Sequence, residues 1–145
     1  IRDRMRLVGS EMCIRDRFLL DELEAQGSML GISAQNCSPD FWLDDGDTIS
    51  VGNAKLDVFL TPGHSPGHII FFHKPSNLAI VGDVLFAGSI GRTDLPGGDY
   101  SQLINSIKTK LWPSGENIEF VPGHGPASNF KIERSTNPFV SDNNL

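Results

Sequence analysis

Apolar residues in this chain fall into short runs whose spacing switches between the strand period and the helix period. At 18–26 (FLLDELEAQ) apolar side chains sit at 18, 19, 20, 23 and 25 with acids between them, the spacing of a short amphipathic helix that Gly27 stops. Residues 28–39 show little pattern and read as a loop. Residues 48–51 and 54–60 read as two strands of a hairpin turned at Gly52-Asn53. Residues 68–73 (HIIFFH) form a further strand, which 74–77 turns into a strand at 78–81. Residues 99–111 read as a helix: Asp99 is placed to cap it, and Leu103, Ile104, Ile107 and Leu111 share one apolar face. Residues 118–121 are the last strand. Residues 128–134 begin a terminal helix, which Pro138 keeps short. Strands come first and adjacent in sequence, and helices come late. That order predicts an α+β fold with antiparallel pairing, not a doubly wound parallel sheet.

Composition narrows the function classes. The 145 residues suffice for one domain with a real core, and no linker divides 18–145. The formal net charge of -6 argues against a nucleic-acid or anionic-membrane partner, since phosphate recognition needs a concentrated basic surface. No apolar run approaches the ~20 residues of a membrane helix, and the basic start is not followed by an apolar signal-peptide core. Cys13 and Cys37 lack a CxxC spacing, which points to a reduced, cytoplasmic setting, with Cys37 a packed or loop thiol. The first seventeen residues stand apart. Ile1-Arg-Asp-Arg4 recurs as Ile14-Arg-Asp-Arg17, and Arg2, Arg4, Arg6, Arg15 and Arg17 crowd a stretch with no amphipathic period. The repeat is too short for a solenoid. Residues 1–17 read as a non-native segment, similar to translated adapter sequence, rather than as a solvated basic arm.

The candidate chemistry lies at three strand ends. TPGHSPGH at 61–68 follows the apolar run 56–60. Asp83 ends the run 79–83, and His124 ends 120–124. Imidazole and carboxylate suit zinc, iron or manganese, and such an ion acidifies its bound water to near ~7. The separations, 83 − 64 = 19 and 124 − 83 = 41 residues, are too long for a finger or a helical motif and fit donors converging from separate loops. Gly63, Gly82 and Gly123 flank the three donors and permit close backbone approach. The acidic turn at 44–47 lacks the calcium-loop spacing and its distal Glu, so it reads as a solvated turn. His73 reads as a surface or packed histidine.

TPGHSPGH (61–68), Gly82-Asp83, GRTDLPGGD (91–99), PGHGP (122–126) and ERSTNPF (133–139) together resemble the C-terminal part of the metallo-β-lactamase superfamily. Within it, residues 18 to about 140 are most similar to the glyoxalase II-like hydroxyacylglutathione hydrolases. The resemblance implies part of an αββα sandwich and a site for two zinc ions, with iron or manganese possible. It implies His64 as a ligand of the first metal, Asp83 as the bridging carboxylate and His124 as a ligand of the second. His68 would support the site without binding metal. Arg92 and Asp94 would either touch a small thioester substrate such as S-lactoylglutathione or hold their loop as an ion pair. Glu133 and Arg134 would pair structurally. The family's HxHxDH signature has no counterpart, because none of the four histidines lies two residues from another. This chain by itself is therefore expected to be inactive and to bind metal weakly. An iron-dependent persulfide dioxygenase of the same superfamily and a non-catalytic fragment are the alternatives.

Overall fold

The computed structural model describes residues 22–36 and 42–143. The expectations for residues 1–17, for 18–21 of the first helix and for Cys37 lie outside the described residues. Helix α1 (Leu23–Met29) leads into β1 (Thr48–Val51), β2 (Ala54–Leu60), β3 (Ile69–His73) and β4 (Leu78–Gly82). A two-stranded hairpin, β5 (Leu85–Phe86) and β6 (Ser89–Ile90), follows, then α2 (Tyr100–Ser106), β7 (Glu119–Pro122), β8 (Ser128–Asn129) and α3 (Phe130–Thr136).

The six-stranded sheet has the order β1-β2-β3-β4-β7-β8. The first four strands form an antiparallel meander in which Thr48 faces Asp57, Leu60 faces Ile69 and Phe72 faces Ala79. β7 makes the mostly antiparallel sheet the mixed sheet expected of this α+β fold. It pairs parallel to β4, with Ala79 opposite Phe120, and β8 then returns antiparallel. This mixed α+β sheet has a direct consequence for the donors. β2 and β4 are both antiparallel to β3, and β7 is parallel to β4, so β2, β4 and β7 all point the same way. Their C-terminal ends share one end of the sheet, which is where His64, Asp83 and His124 follow.

One sheet face packs on α2 and its continuation. Ile70, Phe72, Ala79, Val81 and Phe120 meet Leu103, Ile107, Leu111 and Trp112, with Phe130 and Val140 closing the far side. Burying each large apolar side chain contributes roughly 1.5–3 kcal/mol. Trp112 and Phe130 pack edge to face at 5.4 Å. Asp99 caps α2 as its position predicts, accepting the Gln102 N–H at 3.0 Å. The helix is regular only to Ser106. Residues Ile107–Leu111 widen into a π turn, and Trp112–Ser114 tighten into a 3-10 turn carrying Pro113. Among the described residues, no helix is long and apolar enough to cross a membrane.

Three local expectations are corrected. Gly27 does not end α1 but lies buried inside it, because the returning segment crosses that point: a Cβ there would lie 2.6 Å from Ala34 Cβ and 2.8 Å from the Ile32 carbonyl. The turn falls at Gly31, whose φ of 70° suits glycine. Residues 128–129 are a strand, not helix. The terminal helix starts at Phe130, capped by Asn129, whose side chain accepts the Ile132 N–H at 2.9 Å. Glu133 and Arg134 do not pair. Adjacent helical residues point to different faces: Glu133 turns inward, and Arg134 turns out to Asp142 (2.9 Å) and Glu116 (3.8 Å).

Candidate metal centre

The loop carrying His64 is closed at its base, where Thr61 N–H donates to the His68 carbonyl at 2.7 Å. Helix α2 lies on top of it, held from its N-cap to its last residue. Asp99 N–H donates to the Gly63 carbonyl at 2.8 Å, and the Ser106 hydroxyl donates to the Pro62 carbonyl at 2.7 Å. Gly63 has a φ of 136°, and any Cβ there would collide with the Leu103 backbone. The strand-loop-helix connection therefore leaves His64 little freedom.

Asp83 stands between the two imidazoles. His124 Nδ1 lies 2.8 Å from its Oδ1, and His64 Nε2 lies 3.7 Å from its Oδ2. His64 Nδ1 donates to the Arg92 carbonyl at 2.8 Å. A carbonyl can only accept, so in the neutral ring the proton is on Nδ1 and the lone pair is on Nε2. That lone pair faces a carboxylate oxygen with no proton between them, an arrangement that a cation relieves. His64 is half-buried, whereas the His124 side chain is 79% exposed. Two glycines make the approach possible. A Cβ on Gly123 would strike Asp83 Oδ1, and one on Gly91 would strike the Asp83 carbonyl.

His68 lies beneath this group and is 6% exposed. Its Nε2 accepts the Asp83 backbone N–H at 3.2 Å, and its Nδ1 has no partner. Burial pushes its pKa down to about 4, the proximity of His64 adds to this, and Asp83 partly opposes it. The neutral ring thus orients the Asp83 backbone and packs edge-on to His64 at 5.8 Å. Gly82, with a φ of 51°, leaves room for it: a Cβ there would lie 2.8 Å from His68 Cε1.

Arg92 and Asp94 form a bidentate pair, Nε to Oδ1 at 2.8 Å and Nη2 to Oδ2 at 2.7 Å. The hydrogen bond from Arg92 holds the exposed Asp94 carboxyl down at about 2. The pair braces the loop whose carbonyl holds His64, while Arg92 also lies on the rim of the cleft. His73 is remote from the donors and contacts Ser76 Oγ at 2.6 Å. The cleft itself, about 480 Å³, is lined by the polar His64, Asp83, His124 and Arg92 and by the apolar Phe86 and Ile90. Phe86 escaped the sequence reading. Its ring meets His124 edge-on at 6.2 Å, and a lone aromatic in a two-residue strand gives no periodic signal.

Two imidazoles and a carboxylate that can bridge are the donor chemistry of a divalent transition metal, and the facing lone pair and carboxylate oxygen fit such an ion. The set is open. Among the described residues, no three His, Cys, Asp or Glu side chains converge on one coordination point. His124 is instead turned with its Nδ1 on Asp83.

Known proteins resemble this chain in sequence and fold. The model of the metallo-beta-lactamase superfamily matches residues 14–124. The hydroxyacylglutathione hydrolase GloC of Haemophilus influenzae is 39% identical over 129 residues, which are 88% of this chain and 61% of that protein. The crystal structure of BLEG-1 B3 metallo-beta-lactamase superimposes with a TM-score of 0.79 at 35% identity, covering 89% of this chain and 63% of that one. TTHA1623, solved in a di-iron-bound form, superimposes with a TM-score of 0.78 at 32% identity over the same shares. The chain thus spans about three fifths of the length of such relatives. With the family's pattern matched over most of its length and the donors gathered at one end of the sheet, this chain belongs to the metallo-beta-lactamase superfamily.

Proposed function

We propose that residues His64, Asp83 and His124 belong to the metal site of a thioester hydrolase acting on S-acylglutathione-type substrates, and that this chain by itself turns over little or no substrate. The observation that carries the reading is Asp83, placed between two imidazoles with one oxygen toward each. The Haemophilus relative, a hydroxyacylglutathione hydrolase, supports the substrate class.

In this reading His64, Asp83 and His124 would hold two ions, with His64 on one, His124 on the other and Asp83 common to both, and zinc is the metal proposed. When bound, such an ion supplies a Lewis acid and acidified water. The remaining work falls to the chain. The Arg92 carbonyl fixes the His64 tautomer, His68 holds the Asp83 backbone, and Phe86 and Ile90 offer an apolar wall for an acyl group. Low activity follows from the donor count. Two metals that share one carboxylate and take one imidazole each are left with two ligands apiece, where a closed site uses about four.

The test is hydrolysis of S-lactoylglutathione by the purified chain with added zinc, beside a full-length relative. A second arm is a chimera in which the N-terminal part of that relative precedes residues 22–145. The chain alone is expected to be near background. The chimera is expected to hydrolyse the thioester, and Asp83→Asn to abolish it. A folded chimera without activity overturns the substrate class, and turnover by the chain alone comparable to the relative overturns the inactivity.

A further inference from the structure

Glu133 is 1% exposed and meets no cation among the described residues, since its neighbour Arg134 is engaged elsewhere. Three neutral donors satisfy it instead. Ser128 Oγ donates to Oε1 at 2.6 Å, while Gly88 N–H and Asn137 Nδ2 each donate to Oε2 at 2.8 Å. Asn137, also fully buried, donates to the Ser89 carbonyl at 3.0 Å and accepts the Phe139 N–H at 3.0 Å. A carboxylate is a costly way to fill a core, and its value lies in fixing the direction of the groups that bond to it. Here one of those groups, Gly88 N–H, is in the turn of the β5–β6 hairpin, and another, Asn137, carries the hold on to the second strand through the Ser89 carbonyl.

That hairpin is linked to all three donor residues, to His124 by contact and to Asp83 and His64 through the chain at its two ends. β5 starts two residues after Asp83, and β6 ends two residues before Arg92, whose carbonyl holds His64. Phe86 on β5 packs edge-on against His124, and Gly91 N–H closes the hairpin base on the Val84 carbonyl at 3.2 Å. A shift of the 87–88 turn is therefore felt at every member of the site, although Glu133 contacts none of them.

We propose that Glu133 and Asn137 are positioning residues of the metal centre, acting through the β5–β6 hairpin and Phe86. The inference uses the placement of His64, Asp83 and His124 proposed above, but its readout is independent of thioester chemistry. Histidine-ring proton-carbon spectra of the metal-free chain report the surroundings of His64 and His124 directly. Glu133→Met keeps the volume and removes every acceptor. Glu133→Gln keeps an acceptor for Gly88 and Asn137, and the Ser128 hydroxyl can turn to accept from the new amide. Glu133→Met is expected to move the His124 and His64 ring signals while His73 stays in place, and to weaken zinc binding ~10-fold or more by calorimetry. Glu133→Gln is expected to restore most of both. A folded Glu133→Met protein with unmoved His124 and His64 signals overturns the proposal. If Glu133→Met does not fold, Asn137→Ser decides the outcome, because it removes the amide that joins Glu133 to the Ser89 carbonyl and leaves every aromatic ring near His124 in place. An unmoved His124 signal there overturns the relay, and a moved one supports it. Failure of the thioester assay alone would leave these ring signals unchanged, so the two readings fail separately.

Discussion

His68 ties the stability of this chain to pH. Its ring is buried, accepts the Asp83 N–H and has its pKa pushed down from 6.5 to about 4. The unfolded chain takes up a proton below about 6.5 that the folded chain refuses until about 4. The unfolded state therefore binds more protons in that window, and stability falls as pH drops through it. A depression of this size corresponds to about 3 kcal/mol in full, of which about 2 kcal/mol is lost by pH 5. Against the 5–15 kcal/mol typical of a folded domain, that is a large share. Urea unfolding of the metal-free chain at about pH 7.5 and about pH 5, beside His68→Gln, isolates the effect, because the variant keeps an acceptor and cannot titrate. The wild-type chain is expected to lose about 2 kcal/mol more than the variant between those conditions. Parallel losses in the two proteins would refute the argument.

Other substitutions test other links. Gly123→Ala puts a methyl against Asp83 Oδ1 and is expected to weaken zinc binding ~10–100-fold, as loss of a supporting contact does, with an unchanged circular dichroism spectrum. Phe120→Ala empties a fully buried position between the sheet and Phe130 and is expected to cost about 3–5 kcal/mol in denaturant unfolding. Arg92→Gln removes the bidentate partner of Asp94, so the Asp94 carboxyl should rise from about 2 toward the ordinary carboxylate range, followed by carbon NMR titration. An unmoved value would mean that the pair seen at 2.7 Å is not what holds it.

The convergence of His64, Asp83 and His124 was legible in the sequence because its signal is local. An apolar run ending in glycine beside a histidine or aspartate marks a strand end, and three such ends need only share a direction to converge. The cap at Asp99 was legible for the same reason. What escaped depends on partners distant in sequence. Gly27 looked like a helix stop, yet it is there because Ala34 crosses the helix at that point. The two residues of β8 are too few to show a period and exist through pairing with β7. Glu133 and Arg134 are neighbours along the chain but not in space. The residue that Glu133 does meet is Asn137, four positions on at the helix C-cap, whose Nδ2 donates to Oε2 at 2.8 Å.

The parallel pairing of β7 with β4 also sets an order in time. β1 to β4 are joined by short turns and can close early, whereas β7 must return across the whole crossover that contains α2, and such long-range pairing comes late. Asp83 and His124 meet only at that step. Pulse-labelled hydrogen exchange is expected to protect the amides of β2 and β3 before those of β7, and simultaneous protection would argue against this order. Opening runs the same way in reverse. A fluctuation that frays β7 from β4 separates the carboxylate from His124 while the meander is still intact, so a bound ion would be released well before the chain unfolds.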